Sequence, residues 1–212
     1  SMGCDYDDSK DWNAGTETEN AEEWGRREVV LTGAAIAAGL AGSMLVSDDA
    51  DAAKPPEKEF AKAGDRIQLI KGDHKNEFVK PEMLTVGDRP IEAFPYATAD
   101  GILRRRNRLN RLLVLRLDPA EMDEETRARS VDGVLVYSAL CTHRACTIKS
   151  WMEAERRVRC HCHLSEFATL NSGKVESGPA RRSLPAIPVE LDDEGFIVAA
   201  DGFNRKPGPA KK

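Results

Sequence analysis

The sequence predicts an all-β domain built from short strands and many turns. Three observations carry this reading. Apolar residues fall in brief runs rather than in long amphipathic stripes. The 212 residues include 16 Gly and 11 Pro, which break the chain at turn spacing, and aromatic residues make up only 6%. Near the far end, "AIPVEL", "DDEG" and "FIVAA" read as a hairpin over residues 186–200. The length suits one domain with a sizeable core plus extensions.

Taken in order, residues 1–25 are polar and acidic without periodicity and read as a disordered head. Residues 26–47 begin with Arg26 and Arg27, followed by an uncharged run from Val29 to Ser47. That run of 19 residues approaches the roughly 20 that a membrane helix needs. Eleven of its residues are Gly, Ala, Ser or Thr, so it is weakly apolar. A twin arginine before such a run resembles a Tat export signal, with the chain anchored by this helix or released at "ADA" (50–52). The expected location is the periplasmic side of an inner membrane. A bland alternative is a buried Ala/Gly-rich helix of the domain itself.

Residues 48–63 form a charged, Pro-containing linker, and the domain is expected over 64–203. "DRIQLIKG" and "EMLTVGDRPIEAF" read as short strands with Gly/Asp turns. "RLLVLRL" (111–117) and "GVLVYSAL" (133–140) are apolar runs typical of buried strands. The tail, 204–212, reads as disordered. Between these strands, "LRRRNRLNR" sets Arg104, Arg105, Arg106, Arg108 and Arg111 close together. This is either a solvated turn or a docking patch for an acidic partner or anionic headgroups.

The net charge of −5 argues against a nucleic-acid binder. No nucleophile triad, phosphate loop or paired carboxylates stand out. The chemistry concentrates instead in "CTHRAC" (141–146) and "CHCH" (160–163), which hold four of five cysteines and three of four histidines. Cys4 and His74 lie apart, and His74 reads as a solvated turn residue. Three readings of the cluster compete. A tetrahedral zinc site would take two thiolates and two imidazoles and leave two cysteines over. A pure disulfide framework would leave the histidines idle. A Rieske-type centre takes Cys₂ on one iron and His₂ on the other.

"CTHRAC…CHCHLSEF" resembles the Rieske pattern C-x-H-x-x-C…C-x-C-H in both spacings. The resemblance implies a Rieske-type fold of small antiparallel sheets, a base domain plus a cluster-binding subdomain at about 139–182. It implies a [2Fe-2S] cluster held by Cys141, His143, Cys160 and His163, and a disulfide between Cys146 and Cys162. Such a disulfide needs an oxidising compartment, which agrees with export. "SGPARRSLPAIPVEL" is similar to the third, Pro-containing cluster loop, beginning at Gly178, Pro179 and Ala180, with Arg181 where bc-type proteins usually carry Pro. The phrase "YSALCTH…CHCHLSEF" also resembles the small subunit of arsenite oxidase.

By the same resemblance, the Ser165 hydroxyl donates to a cluster sulfur and raises the potential. Phe167 stands where bc-type proteins often carry a Tyr donor, so a potential below the top of the class is expected. Arg144 and Leu164 flank the tips of His143 and His163. A cation at Arg144 favours an acidic protein partner over a quinol. His161, usually Pro in bc-type proteins, is expected to face away from the iron. The function implied is single-electron transfer, as a subunit serving a larger redox subunit or cytochrome, with quinol as a further candidate. The alternatives are a stand-alone periplasmic carrier and a zinc-stabilised binding module.

Overall fold

A computed structural model describes residues 55–210; the expected head, the twin-arginine segment and Cys4 lie outside the described residues. Among the described residues, twelve strands, one α-helical turn and four short 3-10 turns make up the regular structure. The first five strands are β1 (Arg66–Leu69), β2 (Ile91–Ala97), β3 (Ile102–Leu103), β4 (Leu112–Arg116) and β5 (Val134–Ser138). Then come β6 (Ser150–Met152), β7 (Arg157–Arg159), β8 (Glu166–Ala168) and β9 (Lys174–Ser177). The last three are β10 (Ala186–Ile187), β11 (Val189–Leu191) and β12 (Ile197–Ala199). The single α-helical turn, α1 (Glu124–Arg127), is capped by Asp123, whose side chain accepts from Thr126 N–H at 2.6 Å. No helix among the described residues is long and apolar enough to cross a membrane.

All strand pairs are antiparallel. The larger sheet runs β10-β5-β4-β2-β1-β12-β11, with β3 on β2. Its two edge strands, β10 and β11, are consecutive in the chain and separated only by Pro188. The sheet therefore curls until its edges nearly meet, giving an almost closed barrel. The smaller sheet, β6-β7-β8-β9, is a meander inserted between β5 and β10.

The apolar run of β4 reflects a strand buried on both faces. Leu112 and Val114 face the barrel interior with Ile67, Leu69, Val134, Val136, Ile187 and Ile197. Leu113 and Leu115 face the other way, joining Leu135, Tyr137, Ile148, Val158, Phe167 and Leu184 under the small sheet. Alternation along one strand thus supplies two cores. Tyr137 crosses that second core, and its hydroxyl donates to Thr169 O at 2.8 Å.

Two expectations need correction. The packed domain starts before residue 64: Ala61 is in the barrel core, and its N–H donates to Asn110 Oδ1. The tail is not loose over its described part. Asn204 N–H donates to Ala186 O, Ala186 N–H donates to Asn204 Oδ1, and Pro207 and Gly208 are buried.

The arginine cluster is neither a wholly solvated turn nor one patch. Arg104 is 3% exposed and holds Asp65, 4% exposed, through two bonds of 2.7 and 3.2 Å. It also donates to Pro56 O and Glu59 Oε2. Arg111 pairs with Glu92, and Arg108 reaches Ala145 O. The sequence offers five similar arginines, and only long-range contacts, with Asp65, Pro56 and Glu59, select the buried one.

Removing one partner of a buried pair strands the other charge. Arg104→Met should lower stability by about 3–5 kcal/mol in denaturant unfolding. Arg106→Ala, which breaks an exposed pair with Glu57, should change it by less than about 1 kcal/mol.

Candidate metal centre

Three loops leave the two sheets and meet. The first, 141–146, follows β5. Cys141 N–H donates to Cys146 O at 2.9 Å and Ala145 N–H to Cys141 O at 2.8 Å, closing a tight turn. Ala145 takes φ +58° at its corner. The second loop, 160–165, joins β7 to β8. Cys160 N–H donates to Ser165 O at 2.9 Å, and Leu164 takes φ +57°. The third loop, 178–183, follows β9.

The cysteines sort into two kinds. Cys146 and Cys162 form a disulfide with Cα atoms 6.6 Å apart, tying the first loop to the second. Cys141 and Cys160 are free and each 1% exposed. The sulfurs of Cys146, Cys160 and Cys162 lie within 4.8 Å of one another. With two of them bonded together, they do not make a three-thiolate metal site. Burial pushes the Cys141 thiol up, and a thiolate at neighbouring Cys160 would push it further.

His143 and His163 stand edge to face with ring centroids 4.6 Å apart. Loss of solvent around His143 lowers its pKa, and the charges of His163 and Arg144 lower it more. A lowered pKa keeps the imidazole neutral, the form that ligates metals. His143 Nδ1 is buried with no hydrogen-bond partner, a costly arrangement for a ring nitrogen. An ion at that nitrogen removes the cost. Two buried thiols, two adjacent imidazoles and an orphaned nitrogen are a donor set that fits a two-iron cluster.

The surroundings are equally specific. Ser165 is fully buried, and its Oγ accepts from Ala180 N–H at 3.1 Å. Its hydroxyl lies on the Cys141 side of the site and opposes the rise that burial gives the Cys141 thiol. Gly178, at φ +85°, lies against the second loop: a Cβ there would come within 2.8 Å of Ser165 N and 2.9 Å of Leu164 O. Phe167 is fully buried under the small sheet, while Pro179 is exposed.

His161 is exposed, with Nε2 3.7 Å from Cys162 Sγ. His74 is on the other sheet's loops, 3.1 Å from Glu77. Some contacts went unremarked in the sequence. Ala180, placed there only as part of the third loop, supplies the N–H to Ser165, and Thr142 Oγ1 donates to Arg182 O at 2.7 Å, joining the first and third loops. Arg108 reaches the first loop from outside, and no local signal marks that contact.

Residues 112–188 match the family model of the Rieske [2Fe-2S] domain. The chain is 43% identical over 74 residues to the cytochrome bc1 complex Rieske iron-sulfur subunit of Corynebacterium diphtheriae, covering 35% of this chain and 18% of that one. It is 27% identical over 192 residues to the protein of the same name in Streptomyces coelicolor, covering 88% and 54%. A third relative, from Haloferax mediterranei, is provisionally named respiratory nitrate reductase subunit Rieske; it is 30% identical over 145 residues, covering 68% and 61%. The chain spans only these shares of the relatives' lengths.

Gly178→Ala should push the third loop away from Ser165 and weaken metal retention about 10- to 100-fold, read as metal content after dialysis with unchanged far-ultraviolet dichroism. Cys162→Ser opens a link spanning 16 residues and should cost about 3 kcal/mol of stability, read by denaturant unfolding without reductant.

Proposed function

Because residues 112–188 of this chain are a Rieske [2Fe-2S] domain, whose cofactor is a Rieske-type cluster, we propose that the protein relays single electrons as the iron–sulfur subunit of a larger oxidoreductase complex. The observation that carries this reading is the pairing of two buried free thiols with the orphaned Nδ1 of His143 beside His163. In this reading Cys141 and Cys160 hold one iron, and His143 and His163 the other. The bound cluster supplies one-electron uptake and release, within roughly −150 to +300 mV for the class.

The residues divide the remaining work. The Cys146–Cys162 link holds two ligand loops in register. Ser165 would donate a hydrogen bond to a cluster sulfur and so favour the more negative state, with Ala180 N–H fixing its hydroxyl. Phe167 has no hydroxyl to add, which keeps the potential below the top of the class. The core under the small sheet excludes water from the thiolate side. His143 and His163 are left at the solvent side, where an electron can leave.

The partner reads from the same surface. The three loops carry Arg144, Arg181 and Arg182 and no carboxylate. Arg144 and Arg181 are exposed, and Leu164, next to His163 in the chain, is 59% exposed. A cationic rim around an apolar knob suits an acidic protein surface better than a neutral quinol. Other relatives serve named complexes, cytochrome bc1 and nitrate reductase, and a large redox subunit or cytochrome is the expected partner class here. A disulfide at the site supports an oxidising, exported location, with the twin-arginine segment as signal or anchor.

The dithionite-reduced protein should give a rhombic EPR signal with average g below the free-electron value. A colourless preparation containing zinc would sink the assignment. His163→Ala should abolish the signal and His161→Ala should leave it intact. Electron transfer to an acidic acceptor should slow as salt rises, and Arg144→Glu should reverse that slope.

A further inference from the structure

The segment 204–210 does more than pack against the barrel. It is clasped at its start by the reciprocal bonds between Asn204 and Ala186, each 2.9 Å. It then runs to the buried Pro207 and Gly208, beside the ligand loops. Arg182, in the third loop, donates to Lys206 O at 3.5 Å and to Gly208 O. Among the described residues Arg182 makes no ion pair, so its guanidinium serves backbone carbonyls rather than a carboxylate. The carbonyl of Arg182 accepts from Thr142 Oγ1 at 2.7 Å, and Thr142 sits between Cys141 and His143.

A second line of contacts ends at the same loop. Arg108 Nη2 donates to Ala145 O at 2.8 Å. Ala145 is the φ +58° corner of that loop. Gly208, at φ +76°, closes the gap: a Cβ on it would lie 3.2 Å from Leu109 Cδ2 and 3.8 Å from Ala145 Cβ. Segment 206–208 is thus wedged between the Arg108–Leu109 turn and the first loop, and pulls on the third loop through Arg182.

We propose that residues 204–210 act as a strap that positions the first and third ligand loops, with Arg182 and Arg108 as its positioning residues, and that it sets how tightly the site holds its cluster and the geometry the cluster adopts. This rests on the reading that Cys141, His143, Cys160 and His163 carry the metal. The physical basis is that loops bend easily while ligand geometry is strict. Backbone carbonyls fixed on a strap clasped to β10 give the loops a rigid reference that their own few hydrogen bonds do not.

The test compares the full chain, a chain ending at Phe203, Arg182→Ala, the two changes combined, and Arg105→Ala as an exposed control. Truncation and Arg182→Ala should each speed iron loss to a chelator about tenfold and shift the EPR g values in the same direction. Combined, they should do little more than either alone, because they remove one device. Arg182→Lys should recover part of the retention, and Arg105→Ala should match the parent. Superposable EPR and iron-loss curves for parent and truncated chain would overturn the proposal, as would strictly additive effects. A separate readout isolates the strap from the metal assignment. In the metal-free chain, hydrogen exchange at the Ala145 and Cys141 amides should quicken about tenfold on truncation, while exchange at β4 amides stays unchanged. If the parent binds no iron yet this exchange change is seen, the cluster reading fails and the strap stands; unchanged exchange sinks the strap.

Discussion

The ladder between β4 and β5 is the constraint on which the rest of the molecule depends. Five consecutive residue pairs join these strands, from Leu112 opposite Ser138 to Arg116 opposite Val134. Both faces of that ladder are buried, one inside the barrel and one beneath the small sheet. It is therefore a wall shared by two cores. The same strand that completes the barrel also delivers the chain to Cys141, so the position of that buried thiol is inherited from the barrel's own register.

The small sheet and its loops hang from that wall. Val158 and Phe167 fill the space under Leu113, Leu135 and Tyr137, and they sit in β7 and β8, the strands that flank the second ligand loop. Burial of these side chains anchors the loop's ends, and the disulfide then fixes its middle to the first loop. Gly178 lets the third loop press directly on Ser165. The result is a graded arrangement: apolar packing sets the loops to within a few ångströms, and hydrogen bonds and one covalent link set the final geometry. The free thiols are kept on the dry side and the imidazoles nearer to solvent.

What the sequence made legible follows from how local each feature is. The ligand pattern lies in two stretches of six and four residues, with side-chain chemistry that few other functions need together. The strands at 112–116 and 134–138 announce themselves by unbroken apolar composition. Ser165 was also readable, because its place after His163 is a matter of spacing. The contacts that escaped were those between distant positions. Arg104 and Arg106 are near neighbours of the same type, and distant partners, Asp65 39 residues away among them, make one of them buried. The "RKPGP" stretch has the composition of a loose tail, yet its order comes from Arg182 and Leu109, which no local pattern reveals. Composition describes what a segment lacks by itself; it carries no information about what a neighbour supplies.

The joint at Pro188 has a consequence of its own. Ile187 on one edge strand and Val189 on the other both point into the barrel, two positions apart. The joint therefore fixes a parity: with an odd number of connecting residues, both edges present the same face inward. Adding or deleting one residue there would leave the strands in place by composition but turn one edge inside out. Ala186 would then exchange its place beneath the small sheet for the barrel interior, and Asn204 would lose its grip on the β10 backbone. Sequence length at this corner is thus a structural variable as strict as any side chain, although nothing about Pro188 itself is chemically reactive.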